Sequence, residues 1–182
     1  MNDSEAMNTR YSFLLLVAGA VLLTGCFEEV SGPYDGPDRV AFSQVNGAFS
    51  TVVPDEAGTI EIPAQLIGPQ RANSFDVSVS VQEDTSFRVR EVPVGDGSFE
   101  EERDIRALPT TAPDDAYSVP GSLEFPADSS NVTLGVTIQD AFEASAPSGT
   151  TTRLTLRLEP NPDANIEVAE NWRFFEIVVQ QP

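Results

Sequence analysis

From Arg39 onward, apolar and polar side chains alternate strictly in pairs, and this pattern limits the fold more than any other feature. Phe75, Val77, Val79 and Val81 alternate with Asp76, Ser78 and Ser80. Val132, Leu134, Val136 and Ile138 alternate with Thr133, Gly135 and Thr137, and Leu154, Leu156 and Leu158 with Thr155 and Arg157. Successive side chains of a strand point to opposite faces, so each apolar set forms one buried face. No stretch gives a convincing amphipathic helix. Weaker strands are expected at Val40–Ser43, Thr59–Leu66, Phe87–Glu91, Tyr117–Phe125 and Trp172–Gln180. The last is apolar on both faces, which places it centrally or under a cover. The expectation is an all-β, antiparallel two-sheet sandwich of about 7–9 strands, one core built from about 145 residues.

One segment breaks the pattern. Gly95–Asp115 is acidic and irregular, and reads as a long loop with at most one short strand near Ile105; loops of that length are mobile or functional. Within it Glu100, Glu101 and Glu102 read as a solvated face. Trp172, Phe174 and Phe175 are either a carbohydrate platform or, the favoured reading, part of a final strand entering the core.

The first residues read as an address. Tyr11–Leu23 is uncharged, preceded by Arg10, and too short for a membrane span of about twenty residues. It fits the apolar region of a secretory signal peptide, with Met7 as an alternative start to Met1. Leu23, Thr24, Gly25 and Cys26 resemble the bacterial lipobox, in which the cysteine is lipidated and becomes the new N-terminus. That resemblance implies a signal peptide over 1–25, a lipidated Cys26 with a turn-rich tether over 26–38, and a folded part over 39–182. Several acyl chains hold a protein on a membrane where one is marginal. Phe27 stands where an aspartate retains many such proteins in an inner membrane. Glu28 and Glu29 resemble the export signal of Bacteroidetes-type surface lipoproteins. The expected location is the outer membrane, facing outward.

Composition removes several chemistries. The chain has 29 acidic and 10 basic residues, no histidine and a net charge of −19. Every basic residue is arginine, and Cys26 is the single cysteine. A Ser-His-Asp triad, a Cys-His pair, a Schiff-base lysine and a P-loop lysine are therefore excluded. So is ordinary zinc, haem or iron–sulfur ligation within the chain. So negative a field repels phosphate backbones, and no nucleic-acid partner is expected. An acidic surface with arginine and no lysine also resembles proteins of salt-accumulating halophiles, for which stability rises with salt.

Two further stretches resemble a known family. Val53-Pro54-Asp55-Glu56-Ala57-Gly58-Thr59-Ile60-Glu61-Ile62 is similar to the opening of Calx-beta domains. Ala116-Tyr117 through Gly121, Leu123 and Phe125-Pro126 is similar to their centre, and Val136-Thr137-Ile138-Gln139-Asp140 to the strand that follows. Related domains of unknown function occur in Bacteroidetes-type lipoproteins. The resemblance implies an immunoglobulin-like sandwich. It also implies calcium as the one candidate cofactor, with Glu56, Asp115, Asp140 and Glu143 as ligands. The chain departs from the family where Asp140 is followed by Ala141, where Ala116 precedes Tyr117, and at Thr150–Thr152.

Three functions follow. The first is a non-catalytic surface module acting on a protein or glycan partner. The second is a calcium-binding adhesion module. The third is a small carboxylate-dependent hydrolase, for which no catalytic pair stands out; the expectation is that the chain is not an enzyme.

Overall fold

The structure, a computed structural model, describes residues 36–95 and 97–182. Leu23, Thr24, Gly25 and Cys26 lie outside the described residues, as do the rest of the leader and most of the tether. The strands are β1 (Arg39–Phe42), β2 (Ser50–Pro54), β3 (Gly58–Ile67), β4 (Phe75–Val81), β5 (Ser86–Val94) and β6 (Ser98–Ala107). They continue with β7 (Tyr117–Ser118), β8 (Ser122–Phe125), β9 (Asn131–Ile138), β10 (Thr151–Leu158), β11 (Glu167–Val168) and β12 (Phe174–Gln180). One sheet has the order β11-β1-β3-β9-β7 and the other β2-β12-β10-β4-β8. Together they form an immunoglobulin-like β-sandwich. Pairing is antiparallel except between β1 and β11 and between β2 and β12.

The alternation explains the core. β4 buries Phe75, Val77 and Val79, β10 buries Leu154, Leu156 and Leu158, and β9 buries Leu134, Val136 and Ile138. Fully burying one such side chain stabilises by roughly 1.5–3 kcal/mol. Phe42 of β1 meets Phe175 of β12 edge to face, with ring centroids 5.8 Å apart, joining the two sheets. Phe75 and Phe125, opposite each other on β4 and β8, stack at 4.9 Å.

Two expected elements differ in detail. The strand expected over Tyr117–Phe125 is two strands: β7 pairs with β9 in one sheet and β8 with β4 in the other. Val119-Pro120-Gly121 carries the chain across, and Pro120 has no N–H with which to continue a ladder. β12 starts at Phe174, because Glu170–Trp172 forms a 3₁₀ turn. It lies between β2 and β10, the central one of the two expected placements.

The largest difference is in the segment read as a loop. Instead of one short strand near Ile105, it contains the ten-residue β6, paired with β5 along its length. Gly97 closes the turn at φ 87°, a conformation costly for residues with a Cβ, and its N–H donates to Val94 O at 3.1 Å. This two-stranded ribbon belongs to neither five-stranded sheet.

Candidate functional site

The β5–β6 hairpin is where the chain departs from its own folding rule. The register sets Phe87 opposite Ile105, Val89 opposite Arg103, Glu91 opposite Glu101 and Pro93 opposite Phe99. Cross-strand partners share a face, so these residues form one side of the ribbon. Phe87 is 49 % exposed, Val89 51 %, Phe99 63 % and Ile105 60 %, against 0 % for Leu154 and Leu156 in the core. The other side is ionic. Arg90 Nη2 lies 2.8 Å from Glu102 Oε2, and Arg90 Nε lies 3.5 Å from Asp104 Oδ2. On the apolar side Glu91 and Glu101 stand directly opposite each other, a like-charge pairing that weakens a ladder. Arg103 approaches Glu101 at 3.9 Å.

The base of the hairpin is fixed by a chain of charges. Arg106 Nη1 donates to Glu170 Oε2 at 2.5 Å, and Nη2 donates to the main-chain oxygen of Glu170. Glu170 pairs at 3.5 Å with Arg173, whose Nη2 donates to Glu159 Oε2 at 2.6 Å. Glu159 also accepts from Arg157 Nε at 2.5 Å and from Ser80 Oγ at 3.0 Å. Burial alone would raise the Glu159 pKa. The hydrogen bonds from Arg157, Arg173 and Ser80 outweigh it and hold the carboxyl below its ordinary value. Beyond the hairpin, Thr110 and Thr111 seat the returning chain on β10. Thr110 Oγ1 accepts from Thr155 N at 3.0 Å and Thr111 Oγ1 from Arg153 N at 2.9 Å. Their side chains thus satisfy donors of β10 that β4, paired only at Leu156–Leu158, does not reach.

Between the hairpin base and the sandwich lies a cleft of about 400 Å³ lined in part by Phe49, Phe174, Asp104, Glu170 and Glu176. Its carboxylates are all engaged. Asp104 faces Arg90, Glu170 faces Arg106 and Arg173, and Glu176 lies 2.5 Å from Arg153 Nε.

The residues implicated in calcium binding share one end of one sheet. Gly58, Ile138 and Tyr117 lie in a single row across β3, β9 and β7. Glu56 is just before the start of that row, Asp115 lies in the 3₁₀ turn Asp114–Ala116, and Asp140 and Glu143 follow β9. The side chain that reaches across is Asp55, whose Oδ1 accepts from Ala141 N at 2.5 Å. Among the described residues no three carboxylates gather in a group that could hold a metal ion. Nearby, burial first and then the negative charge of Asp114 raise the Tyr117 pKa, and Tyr117 Oη donates to Asp114 at 3.3 Å.

The aromatic triplet is divided. Phe175 is fully buried, Phe174 faces the cleft, and Trp172 is 40 % exposed and stacked on Phe49 at 6.3 Å. Phe49 is the partner that sequence reading missed; its one signal is its place immediately before β2.

No family model matches the chain, and no curated protein matches it. Among solved structures it is similar to the apo-form Calx CBD1 domain, at 14 % identity and a TM-score of 0.48, covering 81 % of this chain and 99 % of that one. It is also similar to a protein of unknown function from Bacteroides ovatus, at 17 % identity and a TM-score of 0.45. That alignment covers 77 % of this chain and 43 % of the other, so the chain spans less than half of the Bacteroides protein. A third similarity is to the cohesin–dockerin complex Coh-OlpC-Doc435 from Clostridium thermocellum, at 12 % identity and a TM-score of 0.37, covering 84 % of this chain and 99 % of the matched one.

Proposed function

We propose that this protein is a non-catalytic accessory module of the cell envelope. In this reading a lipid on Cys26 holds it to the outer membrane, facing outward, and the β5–β6 hairpin engages a protein partner. The observation that carries the reading is the hairpin itself. It belongs to neither sheet of the sandwich, is braced at its base by Arg106 and Glu170, and presents Phe87, Val89, Phe99 and Ile105 to solvent. Exposed apolar side chains collected on one face and bordered by charge are a common mark of interaction sites. The lipobox resemblance of Leu23-Thr24-Gly25-Cys26 supports the anchor.

A photo-crosslinking residue at Val89, compared with one at Asp76 in intact cells, tests the binding surface. A discrete adduct from Val89 and none from Asp76 is expected; equal labelling overturns the reading. The anchor is tested by incorporation of labelled palmitate, which Cys26→Ser should abolish. The position of Glu56, Asp115 and Asp140 at one end of one sheet supports calcium stiffening as a second reading. A rise in Tm specific to CaCl₂ over MgCl₂, lost in Asp140→Asn, is its test.

A further inference from the structure

We propose that the outer edge of β6 is a strand-addition site for an extended, basic segment of another protein. This rests on the reading of the hairpin as a binding element and specifies what it binds. Among the described residues, the backbone of 99–107 is hydrogen-bonded on one side only. It pairs with β5, and no backbone–backbone bond links residues 99–107 to any other described element. A ribbon of two strands has two such edges, each a row of N–H and C=O groups able to template another strand. They are not equivalent. β5 carries Pro93, which cannot donate and blunts its edge, whereas β6 contains no proline.

Charge decides which strand the β6 edge accepts. Glu100, Glu101, Glu102 and Asp104 lie along it, opposed by Arg103 and by Arg106, which Glu170 already holds. A second copy laid on this edge sets carboxylates against carboxylates, the device by which proteins prevent edge-to-edge self-association. A strand bearing Lys or Arg meets the opposite situation. The two-residue repeat then fixes the pattern. On one face the added strand borders Phe99, Glu101, Arg103 and Ile105, and on the other Glu100, Glu102 and Asp104. It should carry apolar groups on the face of Phe99 and Ile105 and cations along the reverse face, beside Glu100, Glu102 and Asp104. The net charge of −19 draws such a segment toward the protein before contact.

The test uses the full chain and a fluorescein-labelled peptide of alternating valine and lysine. One control alternates valine with glutamate; another alternates proline with lysine, keeping the charge but removing half the N–H donors. Anisotropy reads binding, and amide exchange by mass spectrometry reads where the peptide lies. The valine–lysine peptide should saturate and bind at least about tenfold tighter than the proline–lysine peptide, because strand addition takes its affinity from main-chain bonds. The valine–glutamate peptide should not bind. Exchange should slow in β6 and not in β5, and Glu100→Lys/Glu101→Lys should abolish the effect. Equal binding of both lysine peptides means attraction by charge alone and overturns the proposal. So does protection of β5 in place of β6, or binding of a soluble oligosaccharide that displaces the peptide. Absence of saturable binding overturns it too. In that event a Val89 adduct in cells leaves the binding-module reading standing, and loss of both removes both.

Discussion

Strands β10 and β6 are both long and regular, and they obey different constraints. β10 is paired on both sides, with β12 and β4, and its Leu154, Leu156 and Leu158 are fully buried. β6 is paired on one side, and most of its residues are exposed, including the apolar Phe99 and Ile105. Apolar area removed from water stabilises the first. The second gains little from burial and depends on its turn, its ladder to β5 and the Arg106–Glu170 brace. Among the described residues the core cluster takes no side chain from β5 or β6, which leaves the hairpin sequence free to serve another molecule. This separation is the physical basis of the functional reading.

The largest expected effect lies in the core. Phe42→Ala removes the contact with Phe175 and leaves a cavity between the sheets, an expected loss of about 3–5 kcal/mol by urea denaturation. A loss below about 1 kcal/mol would mean that the sandwich is not the stable unit. Next in size is Glu159→Gln, expected to cost about 1–2 kcal/mol because two arginines lose their charged acceptor. The folded-state pKa of Glu159 lies below its ordinary value of 4.5. Its contribution is therefore present above that value and lost as pH falls below it through the folded value. Acid titration of Tm should show a shallower fall in the Gln variant than in the parent; parallel curves would discard the linkage.

Salt separates the regions less strongly. At a net charge of −19 the chain repels itself, and the Debye length shrinks from about 10 Å at 0.1 M to about 3 Å at 1 M. Tm should rise with KCl across that range, and a flat or falling curve would contradict the halophile-like reading. Smaller still is Arg106→Ala. It should speed amide exchange in β5 and β6 while shifting the global transition by no more than about 1 kcal/mol, since Glu170 is largely exposed. Unchanged exchange would show that the brace is idle.

Legibility in the sequence follows the same division. β4, β9 and β10 could be read because one face of each is buried and period two records it. β6 could not. A ribbon solvated on both faces needs no apolar alternation, and five consecutive charged residues, Glu100–Asp104, resemble a loop. The break between β7 and β8 was concealed for another reason: Leu123 and Phe125 continue the apolar rhythm across Pro120 although the chain changes sheets. Glu56, Asp115 and Asp140 come from three separate segments of the sequence, and spacing along the chain does not show whether such side chains converge. The exposed stripe of Phe87, Val89, Phe99 and Ile105 emerges only from the β5–β6 register, which a sequence does not display.

The most direct test is to replace residues 86–107 with a short Gly-Ser turn, which the pairing of Ser86 with Ala107 makes geometrically feasible. Cooperative melting of the shortened and full chains would then be compared. The prediction is a single transition with Tm within a few degrees of the parent, a change of about 1 kcal/mol or less, together with loss of the Val89-type adduct and of valine–lysine peptide binding. Loss of cooperative folding on removing the hairpin would contradict the account, because the hairpin would then belong to the fold.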